Sequence, residues 1–251
     1  MKHLLFPVAF AMLLLSACCA VVPYQVHSSR FATPGSDGMV AQDSAVLATV
    51  EPYREKMEAE MNQILVESVS PLEKGQPESK LGNMVADACF TEAAIKMEQQ
   101  HSGAIDFCVL NNGGLRSSLP QGKITLKNVY ELMPFENELV VITLNGTSTE
   151  SLLKYISAKG GIPVSNLKFS LSDSALVNVQ AGNGLFTKTR NYRILTSDYL
   201  SNGGDDMNMF ADRVAAEPVG IKVRDAIKQY LQKMGNSNIK LDVKTDGRIT
   251  R

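Results

Sequence analysis

Two stretches of this chain carry residues whose types and spacing can do recognition chemistry. The first, residues 106–116, reads Asp-Phe-Cys-Val-Leu-Asn-Asn-Gly-Gly-Leu-Arg. The apolar run 105–110 predicts a buried strand that stops at two asparagines and two glycines, the pattern of a strand entering a tight loop. Gly113 and Gly114 have no Cβ and tolerate positive φ, so the backbone there can approach a ligand closely. Asn111 and Asn112 offer amide donors and acceptors, and Arg116 offers a planar fork of donors. Taken alone, this loop supports two readings equally: a site for a polar small molecule, or a tight turn with Arg116 in solvent.

The second stretch, residues 197–206, repeats the theme as Ser-Asp-Tyr-Leu-Ser-Asn-Gly-Gly-Asp-Asp, with an aromatic before the glycines and carboxylates after them. Between the two lies Glu131-Leu132-Met133-Pro134-Phe135, an aromatic directly after a helix break. Two aromatic faces, Phe135 and Tyr199, can sandwich a flat heterocycle, and such stacking is worth roughly 1–3 kcal/mol per base. Asp205 can accept hydrogen bonds from ribose hydroxyls, and Asn111 or Gly114 can meet ring edges. That is a nucleoside-shaped set of groups. The competing reading makes Phe135 and Tyr199 core residues and the aspartates turn caps.

Several elements must position these loops. Residues 45–67 look helical, with Val46, Val50, Met57, Met61 and Leu65 near one face, Pro52 in the first turn or splitting the helix, and residues 64–69 already alternating like a strand. A second helix is expected over 78–101, burying Leu81, Met84, Val85, Ala88 and Ala93 to Ile95, with Gly82 allowing close packing and Asn83 either capping or reaching a neighbouring loop. Residues 122–125 read as a short strand, and Thr125 as the N-cap of a helix over 126–133 that stops before Pro134. Residues 137–144 read as a strand, Asn145-Gly146 as a turn, and 148–157 as a helix. Further strands are expected at 167–171, 175–180, 191–196 and 239–243, and an amphipathic helix at 219–234. With no regular βαβ rhythm, the fold class is α+β, a mixed β-sheet packed with helices.

Composition narrows the function. The 251 residues suit one large or two small domains, and a net charge of −1 gives no bulk attraction to nucleic acid. His3, His27 and His101 are scattered and match no metal-ligand spacing. Cys89 and Cys108 both fall on apolar faces and can be a disulfide or buried free thiols. The chain begins with Lys2 and His3, an apolar run, and Leu15-Ser16-Ala17-Cys18. That is a secretory leader whose small residues before a cysteine resemble the lipobox of bacterial lipoproteins. It predicts a signal peptide over 1–17, a lipid on Cys18, a Pro/Gly/Ser-bearing tether over 18–44 with a short strand near 24–30, and one domain over 45–251. The expected location is exported, lipid-anchored to the outer or inner membrane, periplasmic or at the cell surface.

Four blocks, in order, carry a resemblance: Glu78-Ser79-Lys80-Leu81-Gly82-Asn83, Asn111-Asn112-Gly113-Gly114-Leu115-Arg116, Met133-Pro134-Phe135, and Tyr199-Leu200-Ser201-Asn202-Gly203-Gly204-Asp205. Residues from about 78 to 210 resemble the C-terminal domain of the 5'-nucleotidase family, which includes periplasmic UDP-sugar hydrolases and animal ecto-5'-nucleotidases. The resemblance implies that Phe135 and Tyr199 stack on the base, with Tyr199 in place of the family's frequent Phe. It implies that Asn111, Gly114 and Arg116 contact the base and neighbouring groups, and that Asp205 meets the ribose. Asn83, Asn202 and Gly203 would support these from behind. Where the family usually has an Arg before the first block, this chain has Lys74, Gly75 and Pro77, and a lysine cannot copy a bidentate fork. The Asp-x-His and Gly-Asn-His-Glu elements of the family's metallophosphoesterase domain do not occur. The expectation is therefore a nucleoside- or nucleotide-recognition half of a split 5'-nucleotidase in a Gram-negative bacterium. It would have no catalytic residue or cofactor of its own, and divalent metals of the Mn or Zn type would sit on a separately encoded metallophosphoesterase. The alternative is a non-catalytic exported lipoprotein that binds nucleosides or nucleotides for uptake or sensing.

Overall fold

The computed structural model describes residues 43–172 and 175–250. The leader, Cys18, the expected strand near 24–30 and nearly all of the tether lie outside the described residues. The chain divides into two compact units, Met1–Ala48 and Thr49–Arg251, and the fold below is that of the second.

The first helix, α1 (Ser44–Met61), runs through Pro52 without splitting. Its expected apolar face holds only at the C-terminal end: Val46, Val50 and Met57 are exposed, Met61 packs half-buried against the core, and Leu65, beyond the helix, is buried. Arg54 pairs with Glu51 and with Glu58 along the exposed side of the helix. Strand β1 (Ile64–Ser68) follows. Helix α2 (Lys80–Gln99) is capped by Ser79, whose side chain accepts from the Gly82 N–H. A Cβ on Gly82 would sit 2.9 Å from the Ser79 hydroxyl and 3.3 Å from Pro163, which explains the glycine. Ile95, expected inside, faces solvent.

Strand β2 (Phe107–Val109) is wholly buried. Strand β3 (Gly122–Thr125) pairs antiparallel with β1, and Thr125 caps α3 (Leu126–Leu132) in a reciprocal capping box with Asn128. Strand β4 (Glu138–Leu144) leads into α4 (Gly146–Ala158). The expected turn at Asn145-Gly146 is instead the start of that helix: Asn145 is its N-cap, accepting from Ser148, and a Cβ on Gly146 would meet the Lys188 carbonyl at 2.3 Å. Then come β5 (Val164–Ser165), β6 (Leu167–Ser172), β7 (Ala175–Ala181), β8 (Gly184–Leu185) and β9 (Tyr192–Ser197). A single turn of helix, α5 (Asp198–Ser201), follows β9 directly.

Residues 219–222, expected to open the C-terminal helix, belong to a strand instead. This is β10 (Ala215–Lys222), an edge strand with a register shift after Pro218, the place where a sheet tolerates proline. The last helix, α6 (Val223–Asn236), therefore starts later than its apolar pattern suggested. The strand expected at 239–243 does not form. Ile239 is exposed and Leu241 makes one isolated bridge to Ser68, while the terminal pairing is β11 (Ile249–Thr250) alongside β6.

The mixed sheet has the order β10-β4-β9-β2-β5, with β2 and β9 parallel and the other neighbours antiparallel. Alternate residues serve two cores, as the two-residue period of a strand requires. Cys108, Val141 and Leu195 face the core packed by α2 and α6, while Phe107, Ile142 and Ile194 face the one packed by α4 and the β6–β7 pair. Cys89 and Cys108 are buried free thiols, and burial pushes both well above their ordinary pKa. No described helix is long and apolar enough to cross a membrane.

Candidate functional site

The sheet topology brings the three marked loops to one edge. Because β2 and β9 are parallel neighbours, the Gly-Gly loops that follow them emerge at the same end. Strand β4 runs antiparallel to β9 with Leu139 opposite Ser197, so the segment entering β4, which carries Phe135, lies at that end as well. Between these loops is a cleft of about 400 Å³. Asn111, Gly114, Arg116, Phe135, Tyr199 and Asp205 all line it, together with Gly113 and Asn137. Phe135 and Tyr199 are partly exposed, at 40% and 48%, and so are not core residues. Neither pairs with another described ring.

Tyr199 is seated by its own loop. A Cβ on Gly204 would lie 2.5 Å from the Tyr199 ring, so the glycine backs one side of the ring. The Tyr199 hydroxyl donates to Asp205 Oδ1 at 2.9 Å, and that bond to a carboxylate raises its pKa and keeps it protonated. Asn111 Nδ2 donates to Asp205 Oδ2 at 2.7 Å, and Tyr155 Oη donates to the Asp205 carbonyl at 2.6 Å. The amide of Asn111 thus meets Asp205 from the other glycine loop, and Gly114 makes room for it: a Cβ there would be 2.9 Å from Asn111 Oδ1. Arg116 has its guanidinium carbon 5.9 Å from the Phe135 ring centroid and a marginal contact of 3.5 Å to the Gly113 carbonyl. Its remaining donors have no protein partner.

Three expected supporting residues stand outside the cleft lining. Asn83 is buried, with Nδ2 donating to Glu78 Oε1 at 2.6 Å and to the Lys244 carbonyl at 3.2 Å. It anchors the C-terminal segment and does not cap α2. Asn202 ends α5, its N–H donating to the Asp198 carbonyl, and Gly203 takes φ 91°, the left-handed region that favours glycine. Lys74 does not line the cleft, and its Nζ donates to the Leu115 carbonyl at 3.0 Å.

Sequence reasoning missed four residues that hold the loops. Asn137 Nδ2 donates to Asp198 Oδ1, linking the Phe135 segment to the turn that bears Tyr199. Arg224, buried at the start of α6, reaches the carbonyls of Met133 and Phe135 at 3.4 Å each, pairs with Glu136, and lies 4.3 Å over the Tyr130 ring. Lys222 takes the other Glu136 oxygen. The Lys222 and Arg224 hydrogen bonds lower the Glu136 carboxyl to about 2. None of this has a local sequence signal, since the partners are some 60 to 90 residues apart.

Among the described residues, no group of three or more His, Cys, Asp or Glu side chains is placed to share a metal ion. The donors in the cleft do not fit a divalent ion: among the described residues Asp205 is its only carboxylate, and such an ion takes six or more oxygen ligands or several carboxylates.

The fold and cleft define a substrate-recognition domain of the α+β type. The chain belongs to the family of the 5'-nucleotidase C-terminal domain, which it matches over residues 60–212. It is 25% identical to the 5'-nucleotidase of Vibrio cholerae over 206 residues, which are 77% of this chain and 35% of that protein. The crystal structure of a 5'-nucleotidase precursor from Thermus thermophilus matches with a TM-score of 0.67 and 26% identity, over 82% of this chain and 42% of that one. Haemophilus influenzae NAD nucleotidase shares the fold, with a TM-score of 0.63 at 16% identity, over 83% of this chain and 41% of that one. The chain thus spans about a third of the length of the curated relatives it matches.

Proposed function

We propose that this chain is the nucleoside- or nucleotide-recognising half of a 5'-nucleotidase whose metallophosphoesterase half is a separate polypeptide. Phe135 and Tyr199 hold the base, Asp205 the ribose, and Arg116 an anionic or edge group. The observation that supports this best is the convergence of two unpaired aromatic faces, one carboxylate and one arginine on a single cleft. Holding the nucleoside fixes the phosphate ester in line with metals on the partner, Mn or Zn, and turns binding into effective molarity. The leader with Cys18 fits an exported, lipid-anchored protein working in the periplasm or at the cell surface.

The test mixes this chain with a purified metallophosphoesterase that lacks a C-terminal domain, in Mn²⁺ and 5'-AMP. Phosphate release is expected to rise above that of the phosphoesterase alone, and an unchanged rate removes the split-enzyme reading. A second reading, non-catalytic capture of nucleosides for uptake or sensing, is favoured by one observation. Among the described residues, Arg116 is the only cation lining the cleft, which leaves little charge to hold a phosphate. On that reading, calorimetry detects nucleoside binding while phosphate release stays flat.

A further inference from the structure

We propose that the Tyr199 hydroxyl is a specificity determinant: with Asn111 it fixes the plane of the Asp205 carboxylate so that the cleft selects a ribose carrying both 2'- and 3'-hydroxyls. The inference rests on the nucleoside reading of the cleft. The protein supplies one donor to each carboxylate oxygen, Tyr199 Oη to Oδ1 at 2.9 Å and Asn111 Nδ2 to Oδ2 at 2.7 Å. An ionised carboxylate has about four acceptor positions, so about one is left on each oxygen. Two open acceptor positions on one rigid plane suit a vicinal diol, each hydroxyl donating to a different oxygen. A ligand lacking either hydroxyl leaves one of those positions without its donor.

Tyr199 does this in a way that phenylalanine cannot. Its ring is backed by Gly204, where a Cβ would come within 2.5 Å, so the hydroxyl is delivered from a ring with little room to move. The backbone beneath Asp205 needs such support. Asp205 and Asp206 take φ 53° and 64°, a left-handed conformation that side-chain-bearing residues rarely adopt. Tyr155 secures that backbone separately, through the Asp205 carbonyl at 2.6 Å. One tyrosine thus holds the loop and the other orients the carboxylate, and two variants separate these tasks.

Calorimetry on the full chain compares adenosine with 2'-deoxyadenosine and 3'-deoxyadenosine, with the uridine series in parallel. The parent is expected to bind the ribonucleoside more tightly than either deoxy form. Tyr199→Phe keeps the stacking face, and the ratio of ribose to deoxyribose affinity is expected to shrink about three- to ten-fold, the worth of one hydrogen bond. Tyr155→Phe is expected to weaken all three ligands alike and leave their ratio unchanged. Asn111→Ala, acting on the other carboxylate oxygen, is expected to reduce the same ratio and covers the case of a poorly folded Tyr199→Phe. An unchanged ratio in both Tyr199→Phe and Asn111→Ala overturns this inference alone. Absence of binding for every nucleoside in the parent overturns the nucleoside reading beneath it.

Discussion

Asn137 Nδ2 donates to Asp198 Oδ1 at 2.9 Å, and the same oxygen accepts the Tyr199 N–H at 2.7 Å. One carboxylate oxygen thereby ties the segment carrying Phe135 to the turn carrying Tyr199. The two aromatic faces are set by a bond between residues on β4's approach and β9's exit, which the antiparallel register brings together. Hydrogen bonds to charged groups contribute about 1.5–3 kcal/mol, less where they are partly solvated as here. Asn137→Ala is therefore expected to weaken adenosine binding about three- to ten-fold in calorimetry, with a small change in the thermal midpoint. Undiminished affinity would show that this bridge does not set the ring spacing.

Gly204→Ala tests the seat of Tyr199 directly. The added Cβ would lie 2.5–2.7 Å from three ring atoms, closer than packed atoms approach, so the ring must move. Stacking worth ~1–3 kcal/mol is at stake, so a loss of up to about two orders of magnitude in nucleoside affinity is expected. Gly204 is only partly buried, and the unfolding midpoint should shift by little. Full affinity in a folded Gly204→Ala chain would mean that Tyr199 does not contact the ligand.

What could be read from the sequence was local. Thr125 caps its helix as its position suggests, and the first Asn-Gly-Gly run follows a strand, whereas the second follows the single helical turn α5 after β9. Chemistry-bearing residues at such breaks, Asn111, Arg116, Tyr199 and Asp205, were identifiable for the same reason, and all line one cleft. What was not legible depends on distant partners. Strand β10 contains Pro218 and Gly220 and is stabilised by pairing with β4, which no window of its own sequence reveals. The apolar positions of α1 suggested a buried stripe, yet nothing among Thr49–Arg251 covers Val50, Tyr53 or Met57. Arg224 carries no local signal, and its role depends on where α6 meets the Phe135 segment.

The Glu136 pair gives a pH signature. Hydrogen bonds from Lys222 and then Arg224 lower the folded carboxyl to about 2, from an ordinary value of 4.5. A depressed carboxylate contributes stability above its unfolded pKa and loses it as pH falls through the folded one. The contribution is thus fully present at pH 5 and above and fades between about pH 4.5 and 2. Glu136 is solvent-exposed, so the effect on stability is small. The expected outcome is that Glu136→Gln and the parent differ in denaturant midpoint at pH 7 and converge near pH 2. A difference that persists unchanged at acid pH would show that the carboxylate's charge is not what holds this loop.

Arg116 separates base recognition from anion recognition. Its guanidinium lies 5.9 Å from the Phe135 ring centroid, a cation–π contact worth about 0.5–1 kcal/mol at exposed sites. Its free donors can also meet a phosphate, and hydrogen bonds to charged groups contribute about 1.5–3 kcal/mol. Arg116→Ala is therefore expected to weaken adenosine by about two- to five-fold and 5'-AMP by ten-fold or more. Since an exposed charge is screened by salt, the parent's affinity for 5'-AMP should fall between 50 and 500 mM NaCl, while that of Arg116→Ala should barely change. Arg116→Lys keeps the charge and loses the planar fork, so it should retain the salt dependence with only part of the affinity. Equal losses for adenosine and 5'-AMP in Arg116→Ala would place this arginine on the base side of the cleft.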